Sequence, residues 1–172
     1  MCSQAATARG AEPLDPQAWH ERAEAIAAEG QRVIALARTA LPPDREEIGH
    51  ADVANGLELL GLVGLIDPPR QDALSAVAEC QQAGIRVKMI TGDHATTAAA
   101  VAKNMGLVDD DDVAVLTGND LEGMDEQRLK AEAARVHVFA RVSPEHKLRL
   151  VEALQAQGQV VAMTGDGVND AA

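Results

Sequence analysis

Short apolar runs alternate with stretches of helical period along this chain, and glycine or proline punctuates the changes. Asp15 followed by Pro16 has the form of a helix start: an N-cap residue, then proline at the first helical position. The stretch carrying Trp19, Ala23, Ile26 and Ala27 predicts a helix that ends at Gly30. Arg32–Ala37 predicts a strand, Leu41-Pro42-Pro43-Asp44 a loop, and Gly56–Ile66 a second strand. Asp67-Pro68-Pro69-Arg70 then breaks the pattern sharply and marks a hinge.

Beyond the hinge the alternation becomes regular. Helices are predicted at Gln71–Gln82, ending at Gly84, at Ala95–Asn104, stopped by Gly106, at Asp125–Ala134 and at Pro144–Gln155. Strands are predicted between them at Ile85–Ile90, Val113–Leu116, Val136–Ala140 and Val160–Met163. Strands alternating with helices imply βαβ units and a parallel, doubly wound sheet, so the fold class is α/β. The chain divides into residues 1–66, a small α+β piece, and residues 67–172, an α/β domain with its hinge at 67–70. No internal repeat of fixed period is present.

Composition narrows the chemistry. Apolar residues make up 47% of the 172, but aromatics only 1%, so the core must be built from Ala, Val, Leu and Ile. A formal net charge of −12 argues against general binding to nucleic acid or to an anionic membrane. It suits a domain that takes a phosphate ligand together with a metal ion. Cys2 and Cys80 have no metal-type spacing and are too few for a disulfide framework, so reduced thiols are expected. No stretch is long and apolar enough to cross a bilayer, and Met1–Gly10 lacks the apolar region of a signal peptide.

Three loops at predicted strand ends carry candidate chemistry. In Thr164-Gly165-Asp166-Gly167-Val168-Asn169-Asp170, two carboxylates four residues apart suit a hard divalent cation. The glycines admit a phosphoryl group close to the backbone, and Asn169 could donate its amide to a phosphoryl oxygen. In Thr91-Gly92-Asp93, a hydroxyl and backbone N–H groups at a helix start make an anion seat; the plainer reading is a helix cap by Thr91 or Asp93. In Phe139-Ala140-Arg141-Val142-Ser143-Pro144-Glu145-His146-Lys147, Ser143 caps, Pro144 takes the first helical position, and Lys147 falls in the first turn, within reach of a phosphate. A lone lysine on a helix is usually solvated; this one follows a strand whose end shares the edge of the other two loops. His146 reads as a surface or capping residue. Together the loops form a phosphoryl-transfer site that works by positioning and charge neutralisation. A nucleophile is not apparent. Asp67 follows an apolar run, but Pro68 and Pro69 offer no N–H groups to cradle phosphate, so it reads as a hinge or helix-cap residue.

These residues resemble the type II cation-transporting P-type ATPases. The likeness rests on Asp67-Pro68-Pro69-Arg70, on Ala83 through Asp93, on Phe139 through Lys147 and on Met163 through Asp170, in the family's order. It implies a haloacid-dehalogenase-like phosphorylation domain over 67–172, preceded at 1–66 by the last part of a nucleotide-binding domain and its return strand. By the resemblance, Asp166 and Asp170 serve Mg²⁺ and Asn169 contacts phosphate. Thr91, Gly92 and Asp93 form the loop that holds the transferred phosphoryl group, and Lys147 neutralises it. Arg141 contacts the ribose of ATP and Arg32 its phosphates; a solvated Arg32 is the plainer alternative.

The departures are equally informative. The family's Asp-Lys-Thr-Gly-Thr phosphorylation motif is absent, as are its transmembrane helices, and His94 stands where many members have Asn. The expectation is therefore an internal, cytosolic segment of an integral membrane pump. ATP and Mg²⁺ are its expected cofactors, and a transported cation, calcium by preference, passes through a membrane domain elsewhere. Two other readings stay open at this point: a soluble phosphatase of the same fold, and a module without a nucleophile that binds Mg²⁺ or phosphate.

Overall fold

The computed structural model describes residues 2–8, 10–42, 47–109 and 113–165. It comprises two compact units, Met1–Ile66 and Asp67–Ala172.

In the first unit, β1 (Cys2–Thr7) and β2 (Gly10–Pro13) pair antiparallel, with Thr7 opposite Gly10. The sequence reading assigned no element here, because the segment is short, small-residue-rich and lacks apolar alternation. The hairpin closes through the Thr7 hydroxyl, which donates to the Gly10 carbonyl at 2.7 Å. Helix α1 (Pro16–Ala28) starts as predicted: the Asp15 carboxylate accepts from the Gln17 and Ala18 N–H groups. Gly30, at φ +80°, lets the chain leave the helix toward the sheet. β3 (Arg32–Arg38) and β4 (Leu57–Leu65) pair antiparallel, and β1 runs parallel to β4, giving the order β2-β1-β4-β3.

Directly opposed residues share a face of a sheet. Val33 and Gly64 form one such pair. A Cβ on Gly64 would meet the Gln31 side chain and come within 2.8 Å of Ile26 Cγ2, so this face lies against α1. Ala5, Ala27 and Leu59 are its buried centre. The other face carries Arg32, Ile34, Leu36, Val63 and Leu65, all exposed. Trp19 is half-buried on α1, with the Arg22 guanidinium 4.7 Å from its ring centroid.

The second unit opens with α2 (Gln71–Gln82) and continues through β5 (Met89–Thr91), α3 (Ala95–Asn104), β6 (Val115–Thr117), α4 (Gly118–Glu122), α5 (Glu126–Arg135), β7 (Val138–Ala140) and α6 (Pro144–Gln155). Its three described strands are all parallel, in the order β5-β7-β6. The central strand shows why the sheet is covered on both sides. Phe139 packs with Leu121, Met124, Leu129, Leu150 and Leu154 of the α4–α6 side. Its neighbours Val138 and Ala140 point the other way, onto Val77 of α2 and Ala98 and Ala102 of α3. The two-residue period of one strand thus builds two cores, as a doubly wound sheet requires.

Several predicted elements differ. The strand expected at Ile85–Ile90 is confined to Met89–Thr91, because its partner β7 cannot begin before the C-cap of α5 at Val136. Ile85–Lys88 is instead tied down by side chains. Lys88 Nζ donates to the Ala134 and Val136 carbonyls at 3.3 and 2.6 Å, and Arg86 donates to Ala134 at 3.4 Å. These bonds satisfy carbonyls that the end of α5 leaves open. The strand expected at Val160–Met163 is not formed. No described strand runs beside it, and an unpaired segment makes no ladder; Val160 is fully exposed while Val161 packs against the Phe139 cluster. The short helix α4 was not foreseen.

Candidate functional site

The carboxyl ends of three parallel strands lie in one row. Thr91 of β5 and Thr117 of β6 are both register partners of Ala140 in β7. The loops that follow them therefore open on the same edge, where ligand chemistry collects in open α/β sheets.

After β5, the Thr91 hydroxyl donates to Asp93 Oδ2 at 3.0 Å and accepts from the Asp93 N–H at 3.1 Å. The hydroxyl thus shapes its own loop. The N-cap of α3 is His94, whose side chain makes no cap bond, so Thr91 is not the capping residue that the plainer reading allowed. Gly92 has open space where a Cβ would stand.

After β7, Arg141 adopts φ +55°, a left-handed conformation that non-glycine residues rarely occupy. Val142 N–H reaches back to the Thr91 carbonyl at 3.4 Å, a long bond that joins the two loops. Ser143 then caps α6 in a reciprocal box: His146 N–H donates to Ser143 Oγ, and Ser143 N–H to His146 Nδ1, both at 3.3 Å. With Nδ1 accepting, the ring proton sits on Nε2, which faces Glu122 Oε1 at 3.7 Å. His146 caps, as one of its two readings held, but it is buried rather than at the surface. Lys147 follows in the first turn of α6, half-buried, its N–H bonded to the Ser143 carbonyl.

After β6 comes a loop the sequence reading passed over. Thr117 and Asp120 form a second box. Asp120 Oδ2 accepts from the Thr117 N–H at 2.7 Å and from its hydroxyl at 2.6 Å, and Asp120 N–H returns to Thr117 Oγ1. These bonds, the hydroxyl's first, hold the Asp120 carboxyl below its usual range. The signal was present: Leu116-Thr117-Gly118-Asn119-Asp120 resembles Ile90-Thr91-Gly92-Asp93, and Thr-x-x-Asp is a capping-box spacing.

Of the predicted site residues, Thr91, Gly92, Asp93, Arg141 and Lys147 all lie in these strand-end loops and the first turn that follows. Arg32 belongs to the first unit, at the start of β3. Asp166, Asn169 and Asp170 lie outside the described residues. Asp67 does not cap α2, whose N-cap is Arg70. Among the described residues no three His, Cys, Asp or Glu side chains converge to hold a metal ion, and no helix is long and apolar enough to cross a membrane.

Comparison with known proteins gives a consistent picture. The sequence profile of the haloacid dehalogenase-like hydrolases matches residues 3–172. The cation-transporting ATPase pma1 of Synechocystis is 51% identical over 151 residues, covering 88% of this chain and 17% of its own. The probable cation-transporting ATPase F of Mycobacterium tuberculosis is 47% identical over 175 residues, covering 99% of this chain and 19% of its own. The calcium-transporting ATPase of Bacillus subtilis is 44% identical over 85% of this chain and 16% of its own. The chain therefore spans under a fifth of the length of these relatives.

Proposed function

We propose, for a chain that belongs to the haloacid dehalogenase-like hydrolases, that it is the nucleotide- and phosphate-handling segment of an ATP-driven cation pump. In that reading residues 1–66 close a nucleotide-binding domain and 67–172 form most of a phosphorylation domain. The pump passes the γ-phosphoryl group of ATP to an aspartate carboxylate supplied elsewhere in the longer protein, and hydrolysis of that aspartyl phosphate drives transport. The observation that carries the reading is the shared register of Thr91, Ala140 and Thr117, which opens the Thr91 loop and the Lys147-bearing turn on one edge.

The roles follow from chemistry. The Thr91 hydroxyl and the Gly92 backbone receive phosphoryl oxygens, while the Asp93 N–H holds the hydroxyl oxygen in place. Lys147 neutralises charge that builds up on the transferring group, the dominant task of such sites. Arg141 and Arg32 serve the nucleotide. Asp166 and Asp170 offer the hard oxygen donors that Mg²⁺ prefers, and Asn169 an amide for phosphate. Mg²⁺, when bound, supplies further charge neutralisation. Relatives named as calcium transporters support a calcium-type cargo, and the segment would lie on the cytosolic side of the membrane.

The test uses the full-length protein and radiolabelled ATP. Lys147→Ala and Asp166→Asn are each expected to abolish acid-stable phosphoenzyme while the protein still accumulates. Normal phosphoenzyme in both variants would sink the assignment.

A further inference from the structure

We propose that Gly118 is a positioning residue for phosphoryl transfer, acting through the Arg141 peptide and the start of α6. The inference rests on the reading that Arg141 and Lys147 serve that reaction.

The geometry begins with a missing atom. Gly118 is buried at the first position of α4, and its φ is not among the positive ones, so its backbone is open to any residue. What excludes a side chain is space. A Cβ there would fall inside van der Waals contact of the Arg141 carbonyl oxygen, 3.1 Å from His146 Nδ1 and 3.2 Å from His146 Cε1. The two neighbours cannot give way cheaply. The Arg141 oxygen is main chain, in the one described non-glycine residue with positive φ. The His146 ring is held at Nδ1 by the Ser143 N–H and flanked at Nε2 by Glu122 of the same short helix as Gly118.

The turn that carries Gly118 is itself braced. The Thr117–Asp120 box fixes its entry. From α6, Arg149 donates to the Leu121 and Met124 carbonyls at 3.0 and 3.2 Å, holding its exit. The close seat of Gly118 under the Arg141 carbonyl therefore fixes where α6 begins. Lys147 lies one residue beyond His146 in that first turn. A methyl group at position 118 must move the Arg141 peptide, the His146 ring or both, and Lys147 with them. Catalytic groups tolerate such displacement poorly: a misplacement of about 1 Å can slow a reaction about a hundredfold.

The experiment measures single-turnover phosphorylation by ATP in the full-length protein, separating the rate constant from the amplitude. Gly118→Ala is expected to lower the rate constant at saturating ATP at least tenfold, with the amplitude within twofold of wild type. Gly123→Ala is the matched control. It lies at the end of the same helix, exposed, with its nearest neighbour 3.9 Å from the added carbon, and should leave the rate unchanged. A wild-type rate constant in Gly118→Ala overturns the proposal. So does a reduced amplitude with an unchanged rate constant, which means fewer folded molecules rather than a misplaced group. Should Gly118→Ala fail to accumulate, the isosteric Asp120→Asn loosens the same turn. It should slow phosphorylation about threefold at full amplitude, and an unchanged rate overturns the idea. Lys147→Ala, run in parallel, separates the two levels of argument: if it phosphorylates normally, the site reading itself fails, whatever Gly118 does.

Discussion

The Thr91 hydroxyl donates a hydrogen bond to the Asp93 carboxylate at 3.0 Å, while the Asp93 N–H returns to the same hydroxyl at 3.1 Å. A hydroxyl has a single proton to donate. To serve a phosphoryl oxygen, Thr91 must turn that proton away from Asp93. Thr91→Ser keeps the hydroxyl and should retain most phosphoenzyme formation. Thr91→Val keeps the shape and removes the donor, and should slow formation about a hundredfold, the lower end of the range of about a hundred- to a thousandfold for losing one preorganised donor. Equal rates in the two variants would show that the hydroxyl does not touch the transferring group.

Lys88 predicts a pH dependence of stability. Burial, and then the nearby Arg86 charge, lower its pKa from 10.5 to about 8. The folded state thus binds this proton less tightly than the unfolded chain does. Below about pH 8 the lysine is charged in both states, and folding bears the full penalty. Between about 8 and 10.5 the unfolded chain still holds the proton while the folded one has released it, so stability rises with pH. The measurement is the urea midpoint of the chain and of Lys88→Met at pH 7.5, 9 and 10 (roughly spanning that window). The difference, wild type minus variant, should grow with pH; a flat difference refutes the account.

Among the described residues Phe139 is the largest fully buried side chain, and it centres the core between the sheet and α4–α6. With almost no other aromatic volume available, its loss leaves a void that Ala, Val and Leu neighbours cannot fill. Phe139→Ala should destabilise the second unit by about 3–5 kcal/mol, read from urea unfolding followed by circular dichroism. A shift within about 1 kcal/mol would mean that the site collapses freely.

Two glycines of β4 should behave oppositely. Gly64 lies against Ile26 and Gln31, so Gly64→Ala overpacks the α1 interface and should cost about 1–3 kcal/mol. Gly61 has nothing within 4 Å of an added Cβ. Gly61→Ala should be neutral, or stabilising by about 0.5 kcal/mol through lower backbone entropy in the unfolded chain. Thermal melting of the two variants checks the contrast.

Local signals carried much of this fold into the sequence. α2, α3 and α6 fall at their predicted bounds because each has a start signal or a stop glycine: Gly84 and Gly106 both take positive φ, and Ser143-Pro144 opens α6. Asp15 caps α1 as its side-chain chemistry requires. What was not legible depends on partners distant in the chain. The length of β5 is set by where β7 begins, and Val160–Met163 forms no strand without a neighbour to pair with. The β1–β2 hairpin has no apolar alternation to announce it. In the candidate site, the Thr91 loop and the turn carrying Lys147 were legible as strand-end loops through their motifs. The close approach of Gly118 was not, because it is a contact with residue 141 that no local pattern encodes.

The half-buried Trp19 on α1 has a practical consequence. It is the only tryptophan, and the chain has no tyrosine. Emission excited to the red of phenylalanine absorption therefore comes from the first unit alone. Far-ultraviolet ellipticity, by contrast, is weighted toward the second unit, which holds every described α-helix except α1. The chain thus carries a built-in optical label on one half. Comparing the two signals during denaturation reveals, without any introduced dye, whether the halves melt together or in turn.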